Sequence, residues 1–171
     1  MESKDKTKVP EKYVRPNWDE YFMDVVKAVA KRGTCNRGRT GCVIVKDNQI
    51  LATGYVGSPI GQPHCDDAGH LIERTKHLDG VEMDHCVRTI HAEVNAIIQA
   101  AKHGVSIDNS TIYCKLEPCP TCAKMLVNAG IKRVVCERKY HAAQETRKLF
   151  DAVGIKIEYV YDELQKYDGE N

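Results

Sequence analysis

The chain lacks an excess of charge of either sign. Its 171 residues carry 25 Lys and Arg against 24 Asp and Glu, a formal net charge of +1. It therefore shows no sign of the basic surface that a duplex-binding protein spreads along phosphates. It also lacks a basic, aromatic tail for holding RNA, so nucleic acid is not an expected partner. No apolar run approaches the ~20 residues of a membrane span, and the N-terminus has no apolar signal segment. These absences lead us to expect a cytoplasmic protein that does not engage a membrane. Internal repeats and low-complexity tracts are missing too. The length suits one domain with a substantial core and falls short of two of ordinary size.

What the chain does have is eight cysteines and seven histidines. Cys42, Cys114 and Cys136 fall inside apolar, strand-like runs and read as reduced core residues. His91-Ala92-Glu93 opens a helical pattern, and the run Pro118-Cys119-Pro120-Thr121-Cys122, with Cys119 28 residues after His91, opens another. Zinc takes four neighbours, so His91, Cys119 and Cys122 leave one position for water. Metal binding lowers the pKa of that water from about 15.7 to roughly 7. Glu93 stands two residues from a ligand without being needed as one, which suits it to carry the proton. Both ligand sets sit at helix N-termini, where the dipole favours thiolates by about 0.3 to 1 kcal/mol each. The order H-x-E followed by P-C-x-x-C is that of the zinc deaminases. The competing reading is a closed structural zinc with Glu93 as fourth ligand.

In chain order, residues 1–16 lack periodicity and predict a flexible arm, 17–161 a single domain, and 162–171 a polar, frayed tail. Asn17 is a candidate N-cap for a helix from Trp18 to about Arg32, with Tyr21, Phe22, Val25, Val26 and Val29 facing the core and Gly33 ending it. Gly41–Val45 and Ile50–Tyr55 read as a hairpin turning around Lys46-Asp47-Asn48. The 34 residues from Gly57 to Ile90 are rich in Gly, Pro, His and Asp, an uncommon length for a loop unless something ties it down. Cys35, Cys65, His85 and Cys86 are the expected tie, a second and structural zinc, with His64 and His70 in reserve for the fourth position. Downstream, helices carrying His91 and Cys119 alternate with strands over Ser110–Lys115 and Ile131–Cys136, followed by a helix over Ala142–Ala152 and a strand over Ile155–Tyr161. Val94, Ile97, Ile98 and Ala101 are expected to face inward from the His91 helix. The crossovers make the last three strands parallel while the opening hairpin is antiparallel. The expectation is an α/β protein of three α/β/α layers around a mixed five-stranded sheet.

His91–Ile97, Glu117–Ala123, Asn128–Lys132 and Gly54–Pro59 together resemble the deoxycytidylate (dCMP) deaminases of the zinc-dependent cytidine deaminase superfamily. The resemblance covers Trp18 to about Val160. It implies the cytidine-deaminase-like fold and hydrolysis of dCMP to dUMP and ammonia, which supplies dUMP for thymidylate synthesis. It also implies a homo-oligomer, often a hexamer, activated by dCTP and inhibited by dTTP. For substrate contacts it points to Arg37, with Arg39 as alternative, and to Val56, Ala92 and Tyr140. Where the family commonly has Asn, this chain has Val56, which supplies neither donor nor acceptor to a sugar or an effector. A tRNA adenosine or other nucleobase deaminase, or a non-catalytic zinc-stapled assembly module, are the alternatives. The residues leave dCMP open against dCTP or cytidine.

Overall fold

A computed structural model describes residues 13–76 and 82–165. Of the expected arm over 1–16, residues 1–12 lie outside the described residues, as do residues 166–171 of the expected tail over 162–171. Helix α1 (Trp18–Ala30) starts where Asn17 and Glu20 close a capping box, each side chain bonding the other's backbone N–H. It leads to strands β1 (Gly41–Lys46) and β2 (Gln49–Tyr55), joined by Asp47 and Asn48, both with positive φ. That two-residue left-handed turn matches the twist of a tight hairpin. Next come a one-turn helix α2 (Cys65–Ala68) and a separate hairpin of β3 (Ile72–Lys76) and β4 (Glu82–Cys86). The order then alternates: α3 (Ala92–Lys102), β5 (Thr111–Leu116), α4 (Pro120–Asn128), β6 (Arg133–Arg138), α5 (Gln144–Ala152) and β7 (Lys156–Tyr159).

The main sheet runs β2-β1-β5-β6-β7. β1 is antiparallel to both β2 and β5, and the β5-β6-β7 pairs are parallel. Side-chain alternation divides its residues between two faces. Val43, Val45, Tyr113 and Val135 meet Phe22, Met23 and Val26 of α1 on one side. Cys42, Ile44, Ile112, Cys114, Val134 and Cys136 meet α3, α4 and α5 on the other, through Ala96, Ala100, Leu126 and Phe150. These are the three α/β/α layers expected around a mixed five-stranded sheet. The carboxylate of Asp19 on α1 accepts two bonds from Arg133 (2.9 and 2.7 Å) and one from the Tyr113 hydroxyl (2.7 Å). This pairing anchors the helix to the sheet and, through Arg133, holds the Asp19 carboxyl below its ordinary pKa.

Two expected faces are corrected. Tyr21 is exposed and packs edge-on against Phe22, because α1 seats its Phe22-Met23-Val26-Ala30 stripe instead. On α3 the buried positions are Ala92, Glu93, Ala96 and Ala100, while Val94 and Ile97 are half-buried and Ile98 and Ala101 exposed. The cause is spacing. A Cβ on Gly54 of β2 would collide with the Ala92 carbonyl oxygen and crowd the Ala96 backbone. Only a small-residue stripe lets the helix approach that closely. The described part of the expected tail is not frayed: Lys139 N–H donates to Glu163 O and Gln165 N–H to Lys139 O, both 2.9 Å. Among the described residues no helix is long and apolar enough to cross a membrane.

Candidate active site and a second thiol cluster

Two helix N-caps build the first site. His91 and Cys119 both hold the extended N-cap conformation, and neither side chain caps its own helix. Positions that usually carry Ser, Thr, Asp or Asn thus present an imidazole and a thiol to each other. Pro120 at the start of α4 is preset for the first turn, which brings Cys122 alongside. His91 Nδ1 lies 3.5 Å from Cys119 Sγ and 3.4 Å from Cys122 Sγ. A tetrahedral zinc with Zn–S near 2.3 Å and Zn–N near 2.0 to 2.1 Å needs an N···S edge of about 3.6 Å, so this donor set fits zinc without rearrangement. The Glu93 carboxylate lies outside the group of donors within 4.8 Å of one another, which leaves zinc's fourth position to something other than this side chain.

The electrostatics of the pocket suit ligation. The Cys122 hydrogen bond, helped by His91, pushes the Cys119 thiol down to about 4, and the same bond together with burial pushes Cys122 up. The pair therefore holds one thiolate and one proton, which a metal would displace. Bonding to Cys119 raises His91 to about 9 against the opposing effect of burial. Burial raises the pKa of the Glu93 carboxyl, partly offset by His91.

A second group collects Cys35, Cys65, His70 and Cys86, again with donor atoms within 4.8 Å of one another. Cys35 Sγ is 3.7 Å from His70 Nδ1 and Cys65 Sγ is 3.5 Å from Cys86 Sγ. Four donors at these spacings fit a closed tetrahedral site. The expected His85 is not among them, and His70 stands in its place. β3 and β4 are in register with Ile72 opposite Cys86 and Glu73 opposite His85. Successive strand residues point to opposite faces, so turning Cys86 toward Cys65 turns His85 away. Although burial opposes ionisation, the Arg88 backbone N–H and His70 bring Cys86 down to about 7. Burial and the bond to Cys86 push Cys65 up to about 12.

Both groups border one cavity of about 750 Å³. Arg37, Val56, Ala92 and Tyr140 line it with His91, Glu93 and Cys119, and His85 lines it too. Arg37 donates to Asp84 O at 2.8 Å, which leaves its guanidinium at the cavity wall. The alternative, Arg39, is held away from this cavity by a two-pronged pair with Asp66 (both 2.9 Å) and by Gly33 O. Val56 is 6% exposed and packs against Cys35 and Cys65. Its isopropyl group thus fills space between the thiol cluster and the cavity. Sequence reasoning missed Glu117, whose fully buried carboxylate meets Arg147, Tyr159 and the Tyr140 backbone at the same wall. The available signal was an acidic residue ending an apolar strand just before Pro118-Cys119.

The family model described as the cytidine and deoxycytidylate deaminase zinc-binding region matches residues 16–138. Deoxycytidylate deaminase of Schizosaccharomyces pombe is 38% identical over 84% of this chain and 44% of its own length. ComE operon protein 2 of Bacillus subtilis is 41% identical over 85% of this chain and 72% of its own length. The chain thus spans less than half of the first relative and nearly three quarters of the second. Among solved structures, dCMP deaminase of the cyanophage S-TIM5 in complex with dCMP and dUMP superposes with a TM-score of 0.68 at 29% identity, covering 86% of this chain and all of that one.

Proposed function

Because this chain belongs to the cytidine and deoxycytidylate deaminase family, whose zinc-binding region it carries, we propose that it hydrolyses dCMP to dUMP and ammonia. The observation that carries this reading is a three-donor zinc site with a buried, unligating carboxylate beside it, in a cavity large enough for a nucleotide. Zinc, when held by His91, Cys119 and Cys122, supplies the Lewis acidity that makes water nucleophilic at neutral pH. Glu93 moves the protons: it takes one from the attacking water, gives it to the pyrimidine ring nitrogen, and passes a second to the departing amine. Its raised pKa favours the donating half of that task. Ala92, buried and small, leaves room for the ring against the helix end. Arg37 offers a guanidinium to the phosphate from the cavity wall, and Tyr140 adds an aromatic side chain to the same lining.

The test is absorbance loss at the pyrimidine band with dCMP, dCTP, deoxycytidine, CMP and adenosine-containing RNA offered separately. Turnover of dCMP well above the others supports the reading. Turnover of RNA adenosine, or of none, overturns it.

The second donor group supports a structural zinc held by Cys35, Cys65, His70 and Cys86. It staples α2 and the β3-β4 hairpin to the end of α1, giving two zincs per chain. Eight cysteines, all free, suit a reducing compartment such as the cytoplasm. The family resemblance favours a homo-oligomer, a hexamer first. Val56, packed on the thiol cluster, supports a weakened response to dCTP and dTTP.

A further inference from the structure

Glu117 is a charged group at the cavity that this chemistry leaves without a task. Its carboxylate accepts Arg147 Nε at 2.8 Å and Arg147 Nη2 at 2.6 Å, the Tyr159 hydroxyl at 2.7 Å and the Tyr140 backbone N–H at 2.9 Å. Arg147 Nη2 also donates to the Tyr140 carbonyl at 3.1 Å. The Tyr140 backbone is therefore gripped on both sides, its N–H by the carboxylate and its C=O by the guanidinium.

The ring of Tyr140 stands beside that of His141, centroids 4.5 Å apart, and both residues line the cavity. They lie on the short segment between β6 and α5, which is held on the main-chain side by a single bridge of Lys139 with Leu164 and a turn in which Ala143 N–H donates to Tyr140 O at 3.2 Å. Linking α5 to the sheet does not by itself call for a buried ion pair, since well-packed apolar side chains do that at least as well. What the pair adds is a fixed direction for the segment between them. Nor is Glu117 needed to hold the loop carrying Cys119: the Thr146 hydroxyl donates to Pro118 O at 2.9 Å, and Ala123 N–H to Cys119 O at the same distance.

We propose that Glu117 is a positioning residue for nucleotide affinity: through its joint grip with Arg147 it sets the Tyr140–His141 wall against which dCMP is bound. The inference rests on the deaminase reading. Steady-state kinetics with dCMP on the full zinc-loaded protein test it. Glu117→Gln should raise KM about tenfold, and Arg147→Lys, which keeps the charge and loses the fork, about threefold, each with kcat within about twofold. Zinc content should stay at the wild-type value in both. In a Tyr140→Ala background Glu117→Gln should add almost nothing to KM, because the two changes act through one wall.

A fall in kcat accompanied by zinc loss, or additive effects in the double variant, would overturn the assignment. If Glu117→Gln does not fold, Arg147→Lys decides alone, and an unchanged KM there overturns it. The wild type in the same assay separates the two claims. An inert wild type defeats the deaminase reading and this inference with it; an active wild type with unaltered variants defeats this inference only.

Discussion

The two donor groups differ in what carries them. His91, Cys119 and Cys122 ride on the N-termini of two helices packed on the main sheet. Cys35, Cys65, His70 and Cys86 come from a loop, a one-turn helix, the segment after it and the end of a small hairpin. The first group is held by a packed core, contributes three donors and borders a buried carboxylate. The second has little core among the described residues, Val56 and the thiols themselves, and contributes four donors. A scaffold already rigid can leave a metal position unfilled by protein, whereas a weakly packed insert gains order by closing the coordination shell. On the proposed reading, one cluster reacts and the other fastens.

The sharpest way to separate them is Glu93→Gln. It should lower kcat by about 10² to 10⁴ or more while both metals remain, because it removes proton transfer and no ligand. Near-normal turnover would remove the proposed chemistry. The next largest effect is on stability. Cys35→Ala or Cys86→Ala should reduce zinc from two to one per chain, as read by elemental analysis, and lower unfolding free energy on the order of 4 kcal/mol, against about 1 for the buried Cys42→Ala. Two zincs persisting in Cys86→Ala would deny the fastening role. Histidines refine the contrast: His70→Ala should lose the second zinc and His85→Ala should keep it, and the reverse would contradict the hairpin register.

A smaller effect concerns regulation. On the proposed reading, Val56 would leave a sugar or effector hydroxyl without the amide that the family resemblance implies, a deficit of about 1 to 3 kcal/mol. Rates against dCMP should be closer to hyperbolic than sigmoidal and respond weakly to dCTP and dTTP. Strong sigmoidality abolished by dCTP would show the valine to be no obstacle. The smallest effect lies away from both clusters. Asp19 is held by Arg133 below its ordinary pKa, so its contribution is complete above about pH 4 and is lost as pH falls through the folded value. Asp19→Asn should flatten the acid limb of a melting-temperature profile, and an unchanged limb would place acid sensitivity elsewhere.

Much of this contrast was legible in the residues. The strand and helix order follows from periodicity, and His91, Cys119 and Cys122 come together because short motifs carry their own helix starts. What was not legible depended on contacts between distant segments. β3 and β4, with Glu73, Arg74, Lys76 and Glu82, look like a polar loop, since an exposed two-stranded hairpin shows little apolar alternation. The choice of His70 over His85 required knowing that this hairpin exists and which face it turns inward. The inward face of α3 was misjudged because side-chain size was taken for burial, while the helix lies too close to β2 for anything larger than alanine. Glu117 gave little sign of its role because its partners Arg147 and Tyr159 are 30 and 42 residues away.

That close approach has a further outcome for how the chain tolerates change. Gly54 touches no donor and carries no chemistry, yet its missing Cβ is the clearance that seats the end of α3, and His91 and Glu93 hang from that end. A methyl group at position 54 would collide with the Ala92 carbonyl oxygen and stand 2.5 Å from Ala96 N, so the strand or the end of α3 that follows His91 would have to shift. Position 54 is in effect a shim of zero thickness, and the alignment of the whole reacting apparatus is indexed to it.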